Sequence, residues 1–368
     1  MPFADDLIGD HTAKLLVNAI HAAAPEASLT LLRSAARNLA GRSLRERSDL
    51  LRDALLADLP GDYQRFAATI RAAQHGAPPF TGWLIWPVTS AVAAKAITDG
   101  GAAAFEDALA LLAELTARLT SEFAIRVLLA HDLDRALKIV ETWTGSPDEH
   151  VRRLASEGTR PFLPWATRVP ALLERPRATL PVIGALYRDE SEYVRRSVAN
   201  HLNDLSRHHP DLVVETATDW LAAADENTPR LVRHALRTVL KQGHPGALAL
   251  IGFAPATVQV TGPALDTTEV PSGGDLLFTA TITNSGSEPA TLMIDYIVHH
   301  VKANGQQTPK AFKLTTTVLA PGQSLEVSRR HSFRPITTRR YHPGVHAVEL
   351  QVNGLRHGRS DFTLLPAC

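Results

Sequence analysis

Apolar residues recur at helical spacing through the first two thirds of the chain. In 44–59 they return every three or four positions, with arginines and an aspartate on the other face. The stretch 102–119 is dominated by the strong helix formers Ala and Leu. The turn residues of 77–87 predict a loop before it, with Trp83 and Trp86 either exposed there or, as the favoured interpretation, packed between helices.

The stretch 150–165 is the most informative of these helical segments. Its apolar face is formed at i, i+3, i+4 and i+7 by Val151, Leu154, Ala155 and Gly158. Gly158 is placed to end the helix, and the prolines that follow cannot continue one. The pattern predicts a short helix and a turn that presents Arg160 and Trp165 beside the helix end.

A repeat of about 40 residues organises the second half of this helical region. Three related tripeptides begin at Val151, Val194 and Val232, at spacings of 43 and 38 residues. Each follows an acidic pair, and acidic residues are favoured at helix N-termini because they complement the helix dipole. Two helices per period of this length predict a HEAT-like α-helical repeat solenoid.

The repeat places basic residues in equivalent positions on successive helices. Arg153, Arg196 and His234 coincide in this register, and residues 151–200 contain nine arginines against five acidic residues. Any single arginine is better explained by a solvated face or a local ion pair, but rows repeated over three helices favour a polyanion-binding surface. The third repeat predicts a basic stripe along one helix. The expected DNA contacts in these rows are Arg153, Arg195, Arg196, Arg233, Arg237 and Lys241.

After residue 252 the pattern changes to short runs rich in Val, Thr, Ile and Leu, separated by turn-forming Gly, Asn, Ser and Pro. The predicted strands are 257–261, 276–284, 290–301, 311–319, 324–333 and 346–352. Six or seven strands over about 110 residues are typical of an immunoglobulin-like β-sandwich. We therefore expect two domains, 1–252 and 253–368. A scattered basic group in the second, which includes Arg339, indicates either DNA contact or surface decoration.

Composition excludes several classes of protein. The 38 basic and 38 acidic residues cancel, so basic surface arises only from uneven distribution. One cysteine, Cys368, excludes an internal disulfide framework and a multi-cysteine zinc site. We expect no metal and no cofactor. Because no signal peptide and no membrane span are evident, we expect a cytoplasmic protein that does not contact a membrane and is a monomer.

Four motifs resemble the DNA alkylation-repair glycosylases of the AlkC and AlkD type, and more closely the AlkC branch. They are Arg-Arg-Leu-Ala-Ser-Glu-Gly-Thr-Arg-Pro-Phe-Leu-Pro-Trp at 152–165, Thr-Ser-Glu-Phe-Ala-Ile-Arg at 120–126, the α-helical stretch 194–205, and Leu-Pro-Gly-Asp-Tyr at 59–63. The resemblance covers about residues 5–250. Some AlkC-branch members carry a C-terminal immunoglobulin-like domain, which agrees with the strand-rich C-terminal region.

The resemblance implies a function and a set of site residues. It implies excision of cationic N-alkylated bases such as 3-methyladenine from duplex DNA held in a HEAT-like groove. By motif matching, the active-site residues are Glu122, Glu157, Trp165 and Asp204. Arg152 and Arg160 are implied as contacts to the DNA backbone.

The residue types suit this chemistry. An alkylated adenine is already a cationic leaving group, so the protein needs to supply negative charge near the sugar cation and a positioned water, which carboxylates can do. The face of Trp165 can hold the cationic base, an interaction worth about 0.5–2 kcal/mol.

A non-catalytic scaffold that binds DNA or protein is the alternative hypothesis. In it, Glu157 pairs only with Arg153, Asp204 pairs with Arg196 or Arg207, and Trp165 is a packing residue. Convergence of the carboxylates and Trp165 on one place would favour the enzyme.

Overall fold

The first part of the chain is helical, as the apolar spacing predicts. A computed structural model describes residues 4–335 and 340–366; Arg339 and Cys368 lie outside these residues. The helices are α1 (Ala4–Leu7), α2 (Asp10–Ala23), α3 (Thr30–Arg37), α4 (Leu44–Asp58), α5 (Tyr63–His75), α6 (Ile85–Asp99), α7 (Ala102–Leu115), α8 (Ile125–His131), α9 (Leu133–Thr142), α10 (Glu149–Gly158), α11 (Pro170–Glu174), α12 (Leu180–Leu186), α13 (Glu192–Leu205), α14 (Pro210–Ala222), α15 (Thr228–Ala235), α16 (Arg237–Gln242) and α17 (Pro245–Leu250).

The three predicted repeat helices pack on one another in order. Helix α10 contacts α13, and α13 contacts α15. The acidic pairs lie at their starts: the Asp148 carboxylate accepts a hydrogen bond from the backbone N–H of His150, and that of Asp225 accepts one from the N–H of Thr228. The capped starts confirm the helix positions read from the repeat, and the HEAT-like architecture follows from their stacking.

Two local predictions are wrong. The stretch 77–87 is not a loop throughout: a 3₁₀ turn covers Gly82–Leu84, and α6 begins at Ile85. Trp86 is 5% exposed and stacks on Phe123, with ring centroids 4.7 Å apart, which confirms the packing interpretation for this tryptophan. The basic stripe of the third repeat does not follow one helix either, because α15 ends at Ala235 and α16 starts after Leu236.

The C-terminal part forms two β-sheets of an immunoglobulin-like sandwich. The strands are β1 (Val258–Leu265), β2 (Glu269–Val270), β3 (Asp275–Asn284), β4 (Ala290–Val301), β5 (Gln307–Leu319), β6 (Ser324–Ser332), β7 (Gly344–Val352) and β8 (Leu355–Leu364). Their order is β1-β3-β6 in one sheet and β2-β8-β7-β4-β5 in the other. Alternate residues of β3, such as Phe278 and Ile282, enter a core shared with Tyr296 and Leu350.

Of the strands β2 and β8, which the sequence pattern did not predict, the longer is β8. Its sequence, Leu-Arg-His-Gly-Arg-Ser-Asp-Phe-Thr-Leu, is mostly polar, and of its ten residues Phe362 and Leu364 are the ones that are buried. Strand β8 pairs along its length with β7. These backbone hydrogen bonds hold β8 in the sheet although its own apolar alternation is too weak to predict a strand.

Contacts divide the chain into two units. The first contains residues up to 205 together with 223–235, and the second contains 206–222 together with the chain from 236 onward. Helix gives way to strand between Leu250 and Val258. The division into domains at 252–253 stays a prediction.

Candidate active site

A buried arginine holds the turn that follows α10. Arg126, on α8, is 1% exposed and donates to the backbone carbonyls of Gly158, Arg160 and Thr167 at 3.1, 2.8 and 2.6 Å. Burial lowers the pKa of Arg126 to about 10, so it remains a cation at neutral pH. Carbonyl oxygens at helix ends lack partners within the helix, and this side chain satisfies that of Gly158. Its bonds to the carbonyls of Arg160 and Thr167 fix the path of the turn beyond the helix.

Gly158 permits the close approach of α8 to the end of α10. A Cβ atom at this position would lie 2.7 Å from Cγ2 of Ile125, so any other residue would force Ile125 or the helix to shift. Gly158 is the last residue of the helix, as predicted, but its φ is not positive. The glycine is therefore required by packing against α8 and not by a left-handed helix terminus.

The Glu157 carboxylate is buried and is held on both oxygens. Its Oε1 accepts from Nη1 of Arg160 at 2.6 Å, and its Oε2 accepts from the hydroxyl of Ser197 at 2.6 Å. Nη2 of Arg153 lies farther away, 3.6 Å from Oε1. The dominant charged partner of Glu157 is thus Arg160, not the Arg153 that lies four residues earlier on the same helix.

Asp204 reaches the same arginine from α13. Its Oδ2 accepts from Nε of Arg160 at 2.9 Å and from the backbone N–H of Phe162 at 3.3 Å, and its Oδ1 accepts from Nη2 of Arg160 at 3.2 Å. The aspartate is 3% exposed. This two-pronged contact orients Asp204 and replaces the pairing with Arg196 or Arg207 that the alternative hypothesis assumed.

Glu122 joins the group through Arg153. Its Oε2 accepts from Nη1 of Arg153 at 2.7 Å and from the hydroxyl of Thr120 at 2.9 Å. Burial opposes the charge of Arg153, but the nearby carboxylates of Glu122 and Glu157 outweigh it and raise the pKa of the guanidinium. The three predicted carboxylates therefore lie in one buried network, linked by Arg153 and Arg160.

Trp165 lies in the turn that this network stabilises. Its φ of 61° is in the left-handed region, uncommon for a bulky residue, and 63% of the residue is exposed. Its carbonyl accepts a hydrogen bond from the guanidinium of Arg45 on α4. The side chain is therefore not a packing residue, and its backbone is held in a strained conformation of a kind often associated with binding sites.

The arginines implied as DNA backbone contacts occupy buried positions. Arg152 and Arg160 are each 7% exposed. Arg152 binds Asp189 at 2.7 and 3.1 Å and also donates to the carbonyls of Ser146 and Pro147. With Glu190 as a further acceptor, every N–H group of Arg152 is used within the protein, whereas the three hydrogen bonds of Arg160 leave two of its five N–H groups. The contacts of both arginines with the DNA backbone stay a prediction.

The other predicted contacts differ in exposure. Arg153 is partly buried beside Tyr193, Arg195 donates to the carbonyls of Asp189 and Glu190, and Arg237 is half-buried. Of these predicted contacts, Arg196, Arg233 and Lys241 are exposed and form no ion pair or hydrogen bond within the described ranges.

A second polar contact between α10 and α13 is made by His201, next to the Ser197–Glu157 hydrogen bond in sequence. His201 is fully buried, with Nδ1 2.9 Å from the carbonyl of Ser156 and Nε2 2.9 Å from the hydroxyl of Thr179. The carbonyl can only accept, so Nδ1 carries the proton and Nε2 accepts from Thr179. Ser197, His201 and Asp204 lie at i, i+4 and i+7, on one face of α13.

The burial of His201 predicts a loss of stability in acid. Burial lowers its pKa to about 4 from 6.5, so between these values the unfolded chain binds a proton that the folded protein does not. His201 should thus make the free energy of unfolding fall, as pH decreases through this range, by about 1.4 kcal/mol per pH unit. Urea denaturation at several pH values should show a shallower pH slope for His201→Gln, while the exposed His11→Gln should keep the wild-type slope. Equal slopes in all three proteins would contradict this effect.

Several residues of the network were not identified from the sequence. Thr120 and Ser197 lie within two of the matched motifs, at 120–126 and 194–205, but single hydroxyls are common on helix faces and neither was selected as a site residue. Arg126 gave a usable signal, because it lies in a helix otherwise lined by Ile125, Leu128 and Leu129. An arginine among such residues indicates a buried cation that needs acceptors.

Comparisons with known families and proteins match both parts of the chain. Residues 110–239 match the family model described as DNA alkylation repair enzyme. Residues 259–366 match the C-terminal immunoglobulin-like domain of the uncharacterised protein YhaZ. YhaZ of Bacillus subtilis strain 168 is 34% identical over 321 residues, which are 87% of each chain.

A solved structure matches over nearly the full length. It is the alkylpurine DNA glycosylase AlkC of Pseudomonas fluorescens, bound to DNA containing an abasic site analog. The TM-score is 0.79 and the sequence identity 31%, over 99% of this chain and 100% of that one. Among the described residues, no helix is both long and apolar enough to cross a membrane.

Proposed function

Because the chain belongs to the DNA alkylation-repair enzyme family, in the AlkC branch with a C-terminal immunoglobulin-like domain, we propose that it is a DNA glycosylase that releases cationic N-alkylated bases from duplex DNA. The similarity to an alkylpurine DNA glycosylase over the whole chain supports the reaction class. The preference for positively charged bases of the 3-methyladenine type rests on the carboxylates.

The observation that carries the proposal is the convergence of Glu122, Glu157 and Asp204. They come from three separate segments of the chain, yet two arginines, Arg153 and Arg160, connect all three. Burying three carboxylates costs desolvation free energy, and a fold that needed only stability could replace such groups with apolar residues. A concentration of ionised carboxylates is instead suited to stabilising positive charge that develops in a reaction.

The chemistry follows from the state of the substrate. A base alkylated on a ring nitrogen carries positive charge and leaves as a neutral molecule, so no general acid is needed. Cleavage of the N-glycosidic bond develops positive charge on the sugar, which the carboxylates stabilise, and a carboxylate oriented like Asp204 or Glu157 accepts a proton from the attacking water. Glu122 adds to the negative potential.

Trp165 supplies a flat aromatic surface for the alkylated base. Its exposed indole can stack on a cationic base, a contact worth about 0.5–2 kcal/mol depending on desolvation. The hydrogen bonds from Arg126 and Arg45 fix the backbone of the turn that carries the indole, which reduces the rearrangement needed on binding. The exposed Arg196 and Arg233 and Lys241 provide phosphate contacts, so binding weakens as salt increases.

The test is release of free base from duplex DNA treated with a methylating agent, followed by chromatography of the supernatant. We expect 3-methyladenine to appear with wild-type protein. A duplex carrying uracil should release no free base, because uracil is neutral and is a poorer leaving group than a cationic base. Salt-sensitive DNA binding without release of any alkylated base would overturn the assignment as a glycosylase and favour the non-catalytic DNA-binding scaffold.

A further inference from the structure

One exposed arginine near the carboxylates has no assigned role. Arg168 follows the turn that carries Trp165, and its guanidinium carbon lies 4.8 Å from the ring centroid of Phe162. One of its N–H groups donates to the carbonyl of Leu163 at 3.3 Å. Within residues 4–335 and 340–366 it has no carboxylate partner.

The position of Arg168 is determined by groups that also hold the carboxylates. The backbone N–H of Phe162 donates to Asp204, so the ring beneath the guanidinium is attached to the network itself. On the other side, the carbonyl of Thr167 accepts from Arg126 at 2.6 Å. Burial lowers the pKa of Arg126 most, and the positive charge of Arg168 lowers it next. The two cations therefore lie close together.

The geometry of the stack leaves the guanidinium available to a ligand. An arginine on an aromatic ring uses one face of its plane, while the N–H groups at its edge still point outward. Four of its five N–H groups have no acceptor among the described residues. A planar fork of donors matches the oxygens of a phosphate, and stacking reduces the side-chain entropy lost on binding.

We propose that Arg168 binds a backbone phosphate of the DNA strand beside the nucleotide that faces the carboxylates. The inference rests on the proposed function, since it assumes that DNA is the polyanion bound here. The carboxylates repel the negatively charged phosphates of DNA. A cation beside the carboxylates is therefore needed to hold the strand that approaches them. Arg168 is exposed and lacks a competing carboxylate, unlike the buried Arg152 and Arg160.

The measurement is the salt dependence of binding to a fluorescent duplex with a central abasic-site analogue. Loss of one phosphate contact makes the plot of log affinity against log salt, from about 50 to 200 mM, shallower by about 0.9. We expect this change for Arg168→Ala and a wild-type slope for Arg168→Lys, which keeps the charge. For Phe162→Leu we expect the wild-type slope with affinity reduced about two- to fivefold, because the charge remains but the stack is lost.

Arg175→Ala is the matched control. Arg175 is also exposed and lies seven residues away, but it pairs with Asp134 at 2.7 Å. Its removal should leave the slope unchanged. Equal slopes for wild type and Arg168→Ala, or equal changes for Arg168→Ala and Arg175→Ala, would overturn the role of Arg168.

The variants also separate this proposal from a role in holding the turn and from the proposed function. If Arg168 served only to fasten the turn, Arg168→Lys would weaken binding as much as Arg168→Ala, with a lower melting temperature and an unchanged slope. That result overturns the phosphate contact and leaves the glycosylase intact. If wild-type protein does not bind the duplex in a salt-dependent way, both proposals fall together.

Discussion

The Glu157→Gln protein is expected to release 3-methyladenine about 100- to 1,000-fold more slowly than wild type, the usual effect of removing one group that stabilises transition-state charge. The replacement is nearly isosteric. Its amide oxygen can still accept from Arg160, and Ser197 can turn its hydroxyl to accept from the amide nitrogen. The fold and the DNA-binding surface should therefore survive, while the negative charge is lost.

Single-turnover base release with protein in excess over methylated duplex measures this effect. The control is Glu174→Gln, at the exposed end of α11, which removes the same charge away from the network. Its rate should equal that of wild type. A Glu157→Gln protein that releases base at the wild-type rate would remove Glu157 from the active site, whatever its contacts.

Arg160→Ala is expected to have the largest effect on stability, about 3–5 kcal/mol of the free energy of unfolding, because it leaves buried charges without their partner. Arg160 is the main charged partner of both Glu157 and Asp204. Without it, Asp204 keeps only the N–H of Phe162, and Glu157 keeps Ser197 and a distant Arg153.

Urea denaturation at neutral pH measures this loss, and Arg175→Ala is again the comparison. That arginine forms one ion pair, and its side chain is 49% exposed, so its removal should cost no more than about 1 kcal/mol. Similar losses in the two variants would show that the buried network adds no more stability than an exposed ion pair.

Motifs identified Glu122, Glu157, Trp165 and Asp204 as candidates, but they did not predict how these residues are held. Helical spacing suggested that Glu157 pairs with Arg153, since the two share a helix face. The structure gives the closer contact to Arg160, which lies beyond the end of the helix, because the turn folds back and brings it between α10 and α13. Sequence spacing describes neighbours within a helix and carries no information about a residue that leaves it.

The same limit applies to the DNA contacts. The sequence marks an arginine but not its surroundings, so Arg152 and Arg196 are indistinguishable as members of a repeated basic row. In the structure Arg152 is buried against Asp189, whereas Arg196 is exposed. Arg168 was not selected at all, because its stack on Phe162 depends on the shape of an irregular turn.

The sequence by itself determined the architecture: the helical and strand periods, the repeat marked by acidic pairs, and the change from helix to strand after Leu250. These are local properties, since burying one face of a helix or strand imposes a period that can be read along the chain. Only the tertiary structure decided which arginine neutralises which carboxylate and which cations remain exposed. Residues some 40 positions apart, such as Arg160 and Asp204, meet through the packing of α10 on α13, and the strength of their interaction depends on the burial that this packing creates.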